Sequence, residues 1–123
     1  MLMNTSPTTA VDLAAAHRLD NTVQPYDWGS HDHIQGLLGL PRDGRPAAEL
    51  WLGAHPSAPS RLRTGTSLTE LVAAAPVAVL GRRVADRFGP RLPYLLKVLA
   101  ARRALSLQVH PRPHAARAGY HRE

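Results

Sequence analysis

Leu105 to Pro111 reads Leu-Ser-Leu-Gln-Val-His-Pro. If that run is extended, successive side chains point to opposite sides. Leu105, Leu107 and Val109 then face a core, and Ser106, Gln108 and His110 share the other side. A neutral imidazole beside an amide oxygen is the chemistry of half a metal site. A solvated sheet face would carry the same residues, so this motif does not decide alone. A second run, Ala47 to Pro56, sets Glu49, Trp51, Gly53 and His55 against Ala48, Leu50, Leu52 and Ala54. A carboxylate and an indole on one face suit a sugar, since the ring covers C–H surface while the carboxylate accepts hydroxyl protons. An exposed glutamate on a half-buried strand would give the same spacing. Fifteen residues are basic and only one of them, Lys97, is lysine. In an arginine-rich chain, a lone lysine within Leu92 to Leu99 either faces solvent from an edge or is held in a cavity for chemistry that an ammonium can do and a guanidinium cannot.

Other histidines are weaker candidates. His31 and His33 are two apart on an expected helix and do not share a face. His110 and His114 have helical metal spacing, but prolines intervene. His121-Arg122-Glu123 resembles the first piece of a deaminase motif whose thiolates this chain lacks. With no cysteine, any metal must be held by His, carboxylate or amide groups, and disulfides are excluded.

The elements that must position these groups are short. Val11 to His17 is expected to be a short helix and Arg18 to Gln24 a weak strand ending at Pro25. Tyr26 to Ser30 is an aromatic turn, and Ser30 is expected to cap a helix over His31 to Leu38, with Asp32 in its first turn and Gly39 stopping it. Leu40 to Pro46 is a loop and Ala47 to Pro56 a strand. Ser67 to Glu70 is a capping box for a helix that Pro76 ends. A helical passage over Pro76 to Gly89 is broken at Gly81, with Arg82, Arg83 and Arg87 outward. Strands over Leu92 to Leu99 and Ala104 to His110 are expected to form an antiparallel hairpin. A last helix starts at Pro113.

At 123 residues the chain fits one domain. Forty-four per cent apolar and 20% charged residues make it globular, and 11 Pro with 9 Gly imply many turns. The formal charge of +6 invites a nucleic-acid reading. The arginines are scattered, and six aromatic residues leave few rings for stacking, so no nucleic acid is expected. No run is long enough for a membrane span, and the N-terminus fits a secretory signal poorly. A cytoplasmic protein is expected, with a frayed tail or short helix over residues 1–18. No stop signal follows Tyr120, and the end at Glu123 reads as a truncation.

Taken together, Asn21 to Ser30 (NTVQPYDWGS), Ala48 to Ser60 (AELWLGAHPSAPS), Ser67-Leu68, Leu92 to Ala100 (LPYLLKVLA) and Leu105 to Pro111 (LSLQVHP) resemble, in order, the N-terminal part of the type I phosphomannose isomerase family, the zinc-dependent mannose-6-phosphate isomerases. The resemblance implies a mainly β, cupin-like (jelly-roll) fold with added helices, of which residues 19–123 are an N-terminal portion. It implies a sugar phosphate substrate, mannose 6-phosphate exchanging with fructose 6-phosphate, and one Zn2+ per complete site. Gln108 and His110 match two zinc ligands, and the others are expected beyond residue 123. Trp28, Glu49 and Lys97 match pocket positions, with Glu49 and Lys97 the catalytic candidates and Ser106 beside them for substrate. A fragment with two ligands is expected to be inactive by itself.

The competing reading is a small non-catalytic binding module on the same sheet. The resemblance reading makes a definite demand on register. Lys97 joins Ser106, Gln108 and His110 only if paired residue numbers add to an odd total. Lys97 opposite Ser106 and Leu99 opposite Ala104 leave Ala100 to Arg103 as a four-residue loop, and that is the expected pairing. Oligomeric state is not legible.

Overall fold

The computed structural model describes residues 11–120, without the side chains of His114, Ala118 and Tyr120. Its centre is a three-stranded antiparallel sheet in the order β2 (Thr22–Gln24), β3 (Glu49–Gly53), β5 (Leu95–Leu99). Strand β3 is the middle strand and nearly all of it is buried, which is why it can be apolar on one face and still carry Glu49 and Trp51 on the other. The pairs Val23 with Leu50 and Leu50 with Val98 put Val23, Leu50 and Leu52 on one side, against Ile34, Ala47 and Ala100. That is the core. The pairs Gln24 with Glu49, Trp51 with Lys97 and Glu49 with Leu99 put the polar residues of β3 and β5 on the opposite face.

A second ribbon pairs β1 (Leu19–Asp20) with β4 (Arg61–Leu62). Asn21 divides β1 from β2, and its side-chain oxygen accepts from the Ser60 hydroxyl at 2.6 Å. The same hydroxyl accepts from the Gly53 N–H at 2.9 Å. Fully buried Ser60 therefore ties the two sheets together at one corner.

Five short helices accompany these strands among the described residues. Helix α1 (His33–Leu38) stops at Gly39 in the left-handed region (φ 67°), with the Leu40 N–H closing on the Gln35 carbonyl at 2.8 Å. Helix α2 (Leu68–Ala74) has both halves of the capping box: the Glu70 N–H donates to Ser67 Oγ, and the Ser67 N–H donates to Glu70 Oε2. The helical passage divides at Gly81 (φ 80°) into α3 (Pro76–Leu80) and α4 (Arg82–Phe88), with Arg82, Arg83 and Arg87 exposed. Helix α5 (Pro113–Tyr120) begins at the expected proline.

Three expectations change. Residues 11–17 form a turn instead of a helix, because the Asp12 side chain takes the Ala14 N–H at 3.0 Å and competes with helical bonding. Residues 1–10 of the expected tail, and the His121-Arg122-Glu123 motif, lie outside the described residues. Helix α1 starts after Asp32 rather than Ser30, and the Asp32 side chain makes no capping bond. The Ser30 hydroxyl instead donates to Asp32 Oδ1 at 2.8 Å, and this bond holds the Asp32 carboxyl below the usual aspartate range.

The third change is the hairpin. Strand β5 pairs with β3, and residues 104–110 make no ladder among the described residues. The intended loop is used elsewhere. Ala100 accepts from the Ser30 N–H at 2.7 Å, Ala101 bridges Gly29, and the Arg102 N–H donates to the Trp28 carbonyl at 2.8 Å. These bonds carry the chain past the Tyr26 to Ser30 turn instead of back along β5.

Candidate functional site

Glu49 anchors the site. It is only 8% exposed, and a buried carboxylate needs partners. One partner shares strand β3 and the other comes from the register of β3 with β5. Trp51, two residues along the same face, donates its indole N–H to Glu49 Oε2 at 2.6 Å. Lys97, directly opposite Trp51, brings its ammonium to 3.2 Å from that same oxygen and lies 4.8 Å from the centre of the Trp51 ring. The Trp51 and His55 rings meet in a T-shaped arrangement with their centres 4.8 Å apart. Carboxylate, ammonium and indole thus form one unit on the polar face of the sheet.

Trp28 reaches this unit because its turn is clamped on two sides. The Gly29 backbone lies so close to Ala47 and Ala48 that a Cβ there would sit 2.6 Å from the Ala48 Cα. On the other side Arg103 pairs with Asp27 at 2.7 Å, and the Arg102 guanidinium lies 3.4 Å from the His31 ring. The segment after Ala101, held by these contacts, then passes over the polar face. The result is a pocket of about 480 Å3 lined by Trp28, Glu49, Leu99, Leu105, Ser106 and Gln108. A smaller, more apolar pocket near Tyr94 has no carboxylate in its lining.

Of the residues singled out from the sequence, the pocket unites Trp28, Glu49, Ser106 and Gln108. Lys97 is not in its lining and does not join Ser106 through a hairpin. It reaches the site through Glu49, with 37% of its side chain exposed. His110 is exposed and outside the lining. Sequence reasoning missed the bond from Trp51 to Glu49, although the two-residue spacing had placed both on one face. It also missed the Arg103–Asp27 clamp, which no local spacing signals across 76 positions.

The pocket sets one carboxylate, one hydroxyl and one amide beside an indole and two leucines, groups able to exchange hydrogen bonds with hydroxyls and to cover C–H surface. For a metal, the His110 imidazole and the Gln108 amide oxygen are donors by type, but only Gln108 lines the pocket and His110 lies outside it. They fall short in number. Among the described residues no three His, Cys, Asp or Glu side chains form a metal-holding group, whereas a catalytic zinc takes three protein ligands and an open position.

The sequence model of a family described as phosphomannose isomerase type I, catalytic domain, matches residues 16–123. The mannose-6-phosphate isomerase of Escherichia coli K12 is 41% identical over 111 residues, covering 86% of this chain and 28% of that protein. Its counterpart in Aspergillus fumigatus is 38% identical over 105 residues, covering 76% and 23%. Among solved structures, a mutant of phosphomannose isomerase from Salmonella typhimurium superposes with a TM-score of 0.77 at 42% identity, over 86% of this chain and 28% of that one. A mannose 6-phosphate isomerase bound with zinc and yttrium gives 0.76 at 42%, over 86% and 27%. The chain therefore spans about a quarter of the length of these relatives.

Proposed function

The chain belongs to the phosphomannose isomerase type I catalytic domain family, and from that premise we propose that it supplies one wall of a site interconverting mannose 6-phosphate and fructose 6-phosphate. The observation that carries this reading is the meeting of Trp28, Glu49, Ser106 and Gln108, drawn from three separate stretches of chain, around one pocket. Glu49 accepts sugar hydroxyl protons, Ser106 and the Gln108 amide add donors and acceptors, and the Trp28 ring covers the C–H face. Glu49 and Lys97 are the groups able to hold or move a proton beside C1 and C2. Gln108 and His110 would hold zinc as two of its ligands, and the zinc-bound solved relative supports that cofactor. When bound, the ion supplies Lewis-acid polarisation of the substrate oxygens. Two ligands hold it weakly, so the described residues alone are not expected to catalyse.

Among the described residues no helix is long and apolar enough to cross a membrane, and a cysteine-free chain suits the reducing cytoplasm. Titration of the isotope-labelled chain with mannose 6-phosphate tests the reading. The Trp28 indole and Gln108 amide resonances should shift together, and inorganic phosphate should not reproduce the shifts. Identical shifts with phosphate, or shifts confined to surface arginines, would show that the pocket does not read the sugar.

A further inference from the structure

The two donors on Glu49 converge on a single oxygen. Trp51 Nε1 and Lys97 Nζ both lie on Oε2, at 2.6 and 3.2 Å, and among the described residues Oε1 accepts no hydrogen bond. Nor is Oε1 sealed away, because the one buried, unpartnered side-chain atom among the described residues is Gln35 Oε1. Glu49 lines the pocket, so the free oxygen is the one available to a ligand there. We infer that Trp51 is a positioning residue: its N–H fixes the Glu49 carboxylate, its ring seats the Lys97 ammonium, and together they leave Oε1 for the substrate. The link to substrate rests on the sugar-phosphate reading above, but the positioning does not.

The physical argument is one of degrees of freedom. A carboxylate on a strand swings about its last torsion over a broad, roughly two-fold range. Lys97 by itself is a poor restraint, being a flexible and partly exposed point charge. An indole is rigid and has one donor in a fixed direction. Trp51 is 8% exposed and packed against His55, so its N–H cannot follow the carboxylate if it swings. A substitution to Phe keeps a ring for the ammonium and removes only the donor, which separates the two roles.

The test uses the full 123-residue chain without sugar and reads three signatures by NMR. In the wild type, the Trp51 indole proton should resonate downfield of the Trp28 indole proton and exchange about tenfold more slowly, as a charge-assisted bond requires. The ε-methylene protons of Lys97, the only lysine, should be shifted upfield by the ring beneath them. Glu49 should show the couplings of one rotamer. In Trp51→Phe, Lys97 should stay upfield while the Glu49 couplings average, a change that loss of packing alone does not produce when the rest of the spectrum is unmoved. Should that variant not fold, Glu49→Gln decides the matter: the Trp51 indole proton should move upfield and its slow exchange should be lost. Unchanged Glu49 couplings in a folded Trp51→Phe, or an indole proton indifferent to Glu49→Gln, overturns the positioning role. Mannose 6-phosphate titration of the wild type is read separately. Its failure with the three signatures intact would count against the sugar site and leave the positioning standing.

Discussion

Substituting Gly29 with Ala should unfold much of the site at once, and the structure sets the scale. The added Cβ would lie 2.6 Å from both Cα and N of Ala48 and 2.8 Å from the Ala47 carbonyl carbon, where ordinary contact starts at 3.4 Å. All three atoms are backbone, so no side chain can yield. Relief needs a separation of about 0.8 Å between the Trp28–Ser30 turn and the Ala47–Ala48 strand entry. That displacement stretches the bond from the Ala47 N–H to the Ser30 carbonyl, now 2.9 Å, beyond hydrogen-bond range. It also strains the bond from the Ser30 N–H to the Ala100 carbonyl at 2.7 Å. Each buried group left unsatisfied costs about 1–3 kcal/mol, and overpacking adds a similar amount, for a total of about 3–5 kcal/mol. For a domain near this size that lowers Tm by roughly 10–20 °C, measurable by thermal unfolding followed by circular dichroism. A Gly29→Ala chain melting within about 3 °C of wild type would refute the claim that this close approach locks Trp28 beside Glu49.

Three further outcomes follow from particular bonds. Ser60→Ala removes the hydroxyl between Gly53 and Asn21 and should cost about 2–3 kcal/mol in urea unfolding, whereas a change under about 0.5 kcal/mol would mean that water replaces it freely. A double-mutant cycle of Glu49→Gln and Lys97→Met should give a coupling of about 0.5–1 kcal/mol, small because the lysine is half-exposed, and a value of zero would break the pair. The Ser67 N–H holds the Glu70 carboxyl below its ordinary value. A depressed folded-state pKa contributes stability above the unfolded-state value and loses it as pH falls through the folded-state value. Wild type should therefore exceed Glu70→Gln in Tm at neutral pH, with the gap closing in the acid range below the ordinary glutamate value. A gap constant with pH would show that charge has no part in the cap.

Where one element's own residues determine its structure, the sequence was a sound guide. The alternation of Glu49, Trp51 and Gly53 against Leu50 and Leu52 marked β3 and both its faces. Ser67 and Glu70 marked the start of α2, and Gly39 and Gly81 marked two helix ends. The partner of a strand is not a local property. Leu105 to His110 alternates well enough to be a strand, but alternation records only what a segment is able to pair with, and here Ala100 to Arg102 spend their backbone groups on Trp28 to Ser30. Lys97 illustrates the difference. It was expected on the polar side through pairing with Ser106 and is found on the polar side through pairing with Trp51, so its face was legible and its neighbour was not. The resemblance to the isomerase family selected Trp28, Glu49, Lys97, Gln108 and His110, and alternation added Ser106; of these the pocket lining holds Trp28, Glu49, Ser106 and Gln108, with Lys97 and His110 outside it.

The most direct test is a chimera in which this chain replaces the matching N-terminal segment of the Escherichia coli mannose-6-phosphate isomerase. Zinc-dependent turnover of mannose 6-phosphate is expected, lowered about a hundredfold or more in kcat/KM by Glu49→Gln and by His110→Ala. A folded chimera that turns over substrate equally well with either substitution would contradict the proposed function.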